Sequence, residues 1–353
     1  MIDSILNFLA HGLIHAGLGS LALYLLVVTQ LTILSVTLYL HRSQAHRGVD
    51  FHPLIAHFFR FWAWLTTAMV TKQWVAVHRK HHAKVETIED PHSPMVFGIK
   101  RVFWQGVELY RVAASDKATE EKYGRGTPDD WIERNLYARF PEAGPTLLAL
   151  LSIALFGFWG LAIWAIQMLW IPFWAAGFVN GLGHWWGYRN FESSDTSTNL
   201  SPWGLWIGGE ELHNNHHAFP SSAKFALRRF EVDIGWVVIR LLAALRLARV
   251  LRVAPSLDVR PNVHLPDAET LRAVLTHRFH ARNSTSASSS HSHSSCARYL
   301  PSTMAAAGRP CASSSGSVPA RRSPASDCML RMGTSSSAIS ANCASSGTAT
   351  MSV

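Results

Sequence analysis

Three histidine clusters carry most of the chemistry this sequence offers: His41-Arg-Ser-Gln-Ala-His46, His78-Arg-Lys-His81-His82 and His213-Asn-Asn-His216-His217. The second and third share one spacing, H-x2-H-H. At roughly 100° per residue, helix positions i, i+3 and i+4 fall within one sector about 100° wide, so all three rings leave the same face. The i, i+5 pair of the first cluster diverges by about 140° on an α-helix and converges only where that helix ends or bends. A lone histidine on an apolar face is most often a hydrogen-bonded core residue, and one H-x2-H-H is often a surface cluster. Two copies plus an H-x4-H, each at the edge of an apolar segment, point instead to metal. Eight converging neutral imidazoles are a desolvation burden unless cations take their lone pairs. Imidazole suits zinc, copper, iron and nickel, so spacing does not name the metal. The number of donors fits two ions with open positions better than one. A redox-active pair activates dioxygen; a pair of zincs hydrolyses.

The elements that must position these clusters are apolar. Gly17–Leu40 runs without a formal charge for 24 residues, enough for roughly 30 Å of hydrocarbon. Ala143–Tyr188 has 46 residues without a charged side chain, enough for a helical hairpin, with its turn expected at Gly157-Phe-Trp-Gly160. Only 31 residues separate His46 from His78, too few for two crossings. Phe51–Val70 is therefore expected to lie along or dip into the membrane, so that all three clusters share one side. Ser4–Ala16, with His11 and His15, reads as an amphipathic or partial membrane segment. Val232–Val253 reads as an amphipathic helix whose Arg240, Arg246, Arg249 and Arg252 face anionic headgroups.

Composition agrees. Of 353 residues only 16% are charged and 48% are hydrophobic, with 14 Trp and 17 Phe. The net charge of +9 would fit nucleic acid if the basic residues formed one patch. They are segregated instead: none before Arg42, twelve in Lys72–Arg139, none between Arg139 and Arg189, and eight in Lys224–Arg260. Basic loops between apolar runs follow positive-inside topology and place the clusters on the cytoplasmic side; no nucleic-acid partner is expected. The four cysteines, Cys296, Cys311, Cys328 and Cys343, stand 15 to 17 residues apart, neither a zinc spacing nor a compact disulfide framework. The expected organisation is an amino-terminal segment at 1–16, a membrane and catalytic domain at 17–260, a linker at 261–282, and a disordered Ser/Ala-rich tail at 283–353. The fold class is all-α: multi-pass membrane helices under a cytosolic helical cap that carries a dimetal site.

The clusters resemble the three histidine boxes of membrane fatty-acid desaturases. Asp90-Pro-His92-Ser after the second box and Gly209-Glu210-Glu211-Leu before the third are similar to the delta-9 acyl-CoA or acyl-lipid branch. Asn180-Gly-Leu-Gly-His184-Trp-Trp-Gly-Tyr188-Arg resembles that branch's N-x3-H segment. The likeness covers about residues 17–255. It implies metal ligation by His41, His46, His78, His81, His82, His184, His213, His216 and His217, with Asn180 acting through a water. Asp90 and Glu210 would orient imidazole N–H groups. His92 would stand behind a ligand at most, and His11, His15, His52 and His57 match no box. Animal enzymes of the branch have two full passes before the first box, whereas this chain has room for about one and a half.

The resemblance further implies two Fe2+ ions, dioxygen as co-substrate, and a cis double bond placed in a saturated acyl-CoA or phospholipid acyl chain. The protein would be integral to a bacterial inner membrane, in contact with its lipid, and served by a separate electron donor such as a ferredoxin. Trp62, Trp64, Trp170, Trp174, Trp185 and Trp186 are candidates to wall an acyl tunnel. The rival readings are a di-iron hydroxylase or alkane monooxygenase, a metal-dependent membrane hydrolase, and a membrane metal transporter. A transporter would carry its histidines within the spans rather than at their ends.

Overall fold

The computed structural model describes residues 2–255. The linker at 261–282, the tail and all four cysteines lie outside the described residues. Within them helices dominate. They are α1 (Ile2–His11), α2 (Leu18–Leu34, continuing as a π-helix Ser35–Ala45), α3 (Pro53–Thr67), α4 (Thr71–Lys84), α5 (Pro94–Phe97), α6 (Ile99–Ser115) and α7 (Lys117–Tyr123). After a short π-turn at Glu133–Tyr137 come α8 (Ala143–Phe156), α9 (Phe158–Ile171, continuing as a π-helix Pro172–Gly181 and a 3-10 turn Leu182–His184), α10 (His213–Ala218) and α11 (Ile234–Ala244). Two small ribbons, absent from the all-α expectation, tie loops together. Val49–Phe51 (β1) pairs antiparallel with Ala248–Val250, and Trp203–Gly204 (β2) pairs parallel with Val232–Asp233 (β3); the Ala248–Val250 strand is β4.

Two continuous helices, Leu18–Ala45 and Phe158–His184, are long and apolar enough to cross a membrane. In the first, the hydroxyls of Thr29, Thr32 and Ser35 donate to carbonyls four residues back at 2.7–2.8 Å, so they need no water in apolar surroundings. The expected hairpin forms, but its turn is tighter than the four residues from Gly157 to Gly160. Gly157 alone breaks the helix, at φ +61 and ψ −136, and α9 restarts at Phe158. Gly160 then lets α9 approach α8, since a Cβ there would stand 1.8 Å from the Ser152 carbonyl oxygen. The turn after α1 closes this end: Leu13 and Ile14 donate their N–H groups to Ala154 and Leu155 at 3.0 Å, capping carbonyls that a helix terminus leaves open.

Three further elements bear on the site. The Phe51–Val70 stretch becomes α3, started by Pro53 after the His52 cap and stopped at Ala68, whose φ is +59. The Val232–Val253 helix is shorter than expected: it ends at Ala244, and Arg246 turns the chain at φ +61. Beyond the turn, pairing with β1 satisfies the backbone, while Val250 packs on the core of Leu38, Leu40, Val49 and Ile239. Arg249, expected on a helix face, reaches Asp50 across the ribbon at 2.9 Å. Finally, Arg42 is fully buried and bidentate to Asp233, 2.9 Å for each bond, while also donating to Gly208 O and Ala223 O. That clasp fixes the first histidine cluster against the loops framing the third. Removing one partner of such a buried pair costs about 3–5 kcal/mol.

Candidate metal centre

All nine imidazoles singled out in the sequence meet in two adjoining groups. His41, His46, His78, His82 and His216 form one; His81, His184, His213 and His217 form the other. Within each, the ring nitrogens lie within 4.8 Å of one another. The rings of His82 and His217 stack across the boundary with centroids 4.4 Å apart. The one-face expectation holds for α4, but its residues divide: His78 and His82, one turn apart, serve the first group, and His81 the second. α10 divides likewise, giving His216 to the first group and His213 and His217 to the second.

The first cluster converges for a reason that the sequence did not disclose. The backbone there is neither simply ended nor kinked but wound as a π-helix, and His46 N–H bonds to the His41 carbonyl at 3.1 Å, five residues back. The wider turn stacks positions i and i+5 on one side, where an α-helix would separate them. A second π-helical stretch carries Asn180 toward the same place, followed by His184 on the 3-10 turn.

The contacts between rings argue for cations. Nε2 of His216 lies 3.1 Å from that of His41 and 2.9 Å from that of His82. Nε2 of His78 lies 3.1 Å from His82 and 2.8 Å from His46. Each neutral Nε2 offers either one hydrogen or one lone pair in the ring plane. Four contacts along this chain of five nitrogens would therefore force two hydrogens to be shared both ways. Nitrogens bound about 2.1 Å from a common ion and 90° apart stand roughly 3.0 Å from each other, close to what is found. In the second group, His184 and His213 meet at 3.0 Å, and the buried Nε2 atoms of His81 and His217 have no hydrogen-bond partner. Burial and the neighbouring imidazoles hold His46, His78, His82, His213, His216 and His217 well below the usual histidine range, so the rings are neutral donors. The donor set fits two metal ions.

Carboxylates fix the tautomers. His41 Nδ1–H donates to Glu210 at 2.7 Å and His81 Nδ1–H to Asp90 at 3.0 Å, leaving Nε2 free for metal. Burial alone would raise the Asp90 carboxyl, but the hydrogen bond and charge of His81 outweigh it, and it falls to about 2. Asp195, which sequence reasoning missed, accepts from His217 Nδ1 at 2.9 Å, and Glu86 stands 3.6 Å from His184 Nδ1. His92 stacks on His81 at 4.5 Å with its Nε2 unpartnered. The Asn214-Asn215 pair inside the third cluster was also passed over. Asn214 Oδ1 accepts from the Asn190 and Phe191 N–H groups, and Asn215 donates to Phe225 O and Glu231, anchoring α10 by its buried amides. Two amides between two sets of ligands were the available signal, since a polar group there must be buried and satisfied.

A crevice reaches the centre. A cavity of about 670 Å³ lies between α4, α6, α8 and α9, and a smaller one of about 80 Å³ lies against His41, His78 and His213. Trp74, Tyr110, Ile171, Ala175 and Asn180 line both, so the two cavities adjoin at these side chains. Of the six tryptophans expected to wall a tunnel only Trp174 does so. Trp185 and Trp186 are exposed, and Trp74 and Trp164 take the lining positions instead. Trp74 also stacks on His78, nearly parallel at 5.0 Å.

Fold and site together define a helical protein with two long apolar helices and a pair of imidazole groups that fit two metal ions. The fatty acid desaturase family model matches residues 18–240, and the chain belongs to that family: it is a fatty acid desaturase, an oxidoreductase. It is similar to Delta-9 acyl-lipid desaturase 1 of Arabidopsis thaliana, 31% identical over 228 residues that cover 61% of this chain and 70% of the relative. It is also similar to the Icosanoyl-CoA 5-desaturase of Limnanthes douglasii, 33% identical over 225 residues, 61% of this chain and 60% of the relative. A third relative, the sn-1 stearoyl-lipid 9-desaturase of Synechocystis, is 31% identical over 228 residues, 63% and 69% of the two chains.

Proposed function

We propose that this desaturase is a multi-pass membrane enzyme that introduces a cis double bond at the delta-9 position of a saturated acyl chain. Its metals are two irons, held by His41, His46, His78, His82 and His216 on one side and by His81, His184, His213 and His217 on the other. Asn180, which lines the smaller cavity as His213 does, holds a water for the metal. When bound, the irons supply dioxygen activation, drawing two electrons from a separate carrier such as a ferredoxin. The histidine groups face the cytoplasm, where the basic loops lie.

The observation that carries this reading is the crevice. Unactivated methylenes have no useful pKa, so the protein contributes position rather than acid–base chemistry. Ile171, Ala175 and Trp74 offer an apolar wall along which a hydrocarbon chain reaches His41 and His78. The same wall excludes water from the reacting carbons. The carboxylates Glu210, Asp90 and Asp195 keep three rings turned so that Nε2 faces inward. The delta-9 and delta-5 names among the relatives both fit such a crevice; the D-P-H and N-x3-H segments favour a desaturase over a hydroxylase, and delta-9 is the position in the names of two of the three relatives given above.

Expression in a host unable to make unsaturated fatty acids tests the proposal. The expected result is rescue of growth, with a delta-9 monoene identified by gas chromatography of its double-bond adducts. A delta-5 monoene would overturn the position, and a hydroxy acid would overturn desaturation in favour of hydroxylation.

A further inference from the structure

One buried side chain of the crevice is left without a partner by the rest of the protein. Gln167, on the α9 wall, is only 4% exposed, lines the larger cavity, and has no hydrogen bond to either amide atom. A primary amide offers two donors and an acceptor, and burying them unpaired on an apolar helix is costly. The neighbouring polar groups are spent or stand elsewhere. Thr66, Thr67, Ser115 and Thr146 donate to carbonyls three or four residues back, and Trp164 donates to the Pro145 carbonyl. Gln73 is only half-buried, Arg111 and Glu142 are exposed, and Tyr110 and Asn180 lie where the two cavities adjoin. Gln167 is thus an isolated polar point in an apolar wall, suited to a group that arrives from outside the chain.

Its position along the helix says which group. Ile171 and Ala175 follow Gln167 at i+4 and i+8, and both line the smaller cavity against His41 and His78. At the α-helical rise the step from Gln167 to Ala175 spans about 12 Å. It is shorter where the helix is π-wound from Pro172 onward. An extended acyl chain covers about 10 Å from its carbonyl carbon to C9 and about 5 Å to C5, at roughly 1.2 Å per bond. A carbonyl held at Gln167 therefore brings the ninth and tenth carbons level with Ala175, beside the imidazoles. It leaves the fifth level with Ile171, at the near edge of that cavity. We infer that Gln167 is the acyl-carbonyl anchor: its Nε2–H donates to the carbonyl oxygen and so fixes which methylenes stand at the metals. Ester and thioester carbonyls both accept such a bond, so the anchor serves either carrier. This rests on the reading of the crevice as the acyl-chain site.

The test removes the bond from each side in turn. Membranes of a host expressing the full chain, supplied with NADH, are given probes that carry or lack the carbonyl. One pair is stearoyl-CoA and S-octadecyl-CoA; the other is phosphatidylcholine with an 18-carbon acyl or 18-carbon alkyl ether chain. Rates and double-bond positions are read by mass spectrometry for whichever pair the parent converts. Loss of the probe's carbonyl should slow the parent about 3–10-fold and spread the double bond over adjacent positions. Gln167→Met should do the same to the carbonyl probe, and the two changes together should cost no more than either alone. The variant should keep two irons per chain and melt no lower than the parent, because a buried amide without a partner adds no stability. Additive losses, or a Gln167→Met variant with full rate and a single double-bond position, would overturn the anchor. So would iron loss or a lower melting temperature, which would make Gln167 a structural residue. Ala175→Phe separates the two failures. If it blocks turnover while the losses are additive, the crevice reading stands and the anchor alone falls; if it leaves turnover intact, both fall.

Discussion

The five-imidazole and four-imidazole groups draw on the same two helices, α4 and α10, but differ in what stands behind them. Behind the four-imidazole group, Asp90 and Asp195 accept from His81 and His217, and Glu86 faces His184. Behind the five-imidazole group, Glu210 on His41 is the single carboxylate in contact among the described residues. The first group is thus rich in neutral donors, and the second is poorer in donors but rich in compensating charge. Adjacent sites built this unequally should not respond alike to the same kind of substitution.

The largest effect should come from deleting one ring on each side. His216→Ala and His217→Ala are each expected to reduce desaturation to background while lowering bound iron from two ions to one per chain, measured by plasma emission on purified protein. Loss of both ions in either variant would show that the groups are one unit. The crevice supplies the contrast to both. Ala175→Phe, at a position shared by the two cavities, should displace the acyl chain and cut turnover by about 100-fold, as misplacement near 1 Å does, with both irons retained. Iron lost from that variant would mean that the crevice wall also supports the centre.

A smaller difference separates the supporting carboxylates. Asp195→Asn and Glu210→Gln should each weaken iron binding about 10–100-fold. Asp195→Asn should affect one ion and Glu210→Gln the other, resolved as two steps in a chelator titration. The Asp195 step is expected to be the smaller, since Asp90 and Glu86 remain beside it. Equal steps would erase the asymmetry.

How far the site was legible follows from the period of each element. On α4 the α-helical period of 3.6 applied, and the sequence showed that His78, His81 and His82 share a face. It did not show that they divide between two groups, because that depends on which neighbour packs on each side. At His41 and His46 the period itself differed, and a π-turn is set by tertiary packing rather than by any local signal in Leu38–Ala45. The apolar hairpin was plain from 46 uncharged residues, and Gly157 could be named because only glycine takes its pairing of φ +61 with ψ −136 without strain. The β1–β4 ribbon was hidden because Ala248–Val250 continues the apolar and Arg spacing of the helix before it. Asp195 and Glu86 were out of reach of any motif, since they lie 22 and 98 residues from the rings they face.

The smallest effect lies outside both groups and isolates what an imidazole does for a buried acid. Asp90 and Glu210 are buried yet held below the usual carboxylate range: burial acts to raise them, and the His81 and His41 rings overcome it. Glu133, 4% exposed between α3 and α4, has no side-chain hydrogen bond to either carboxyl oxygen, and Arg60, 3.6 Å away, is bound to Asp130 at 2.6 Å. Burial prevails there and pushes its carboxyl up to about 7. An acid whose folded pKa exceeds its unfolded value near 4.5 binds more protons when folded across that window. Stability must therefore fall as pH rises from about 4.5 to 7, and the loss is complete above that range. Glu133→Gln abolishes the titration and keeps the side chain neutral at every pH. The variant should match the parent near pH 4 and exceed it at pH 8 by about 3 kcal/mol, read as a melting temperature higher by several degrees in detergent. An equal gap at both pH values would mean that the glutamine acts through packing, and that burial without an imidazole partner does not set the state of this acid.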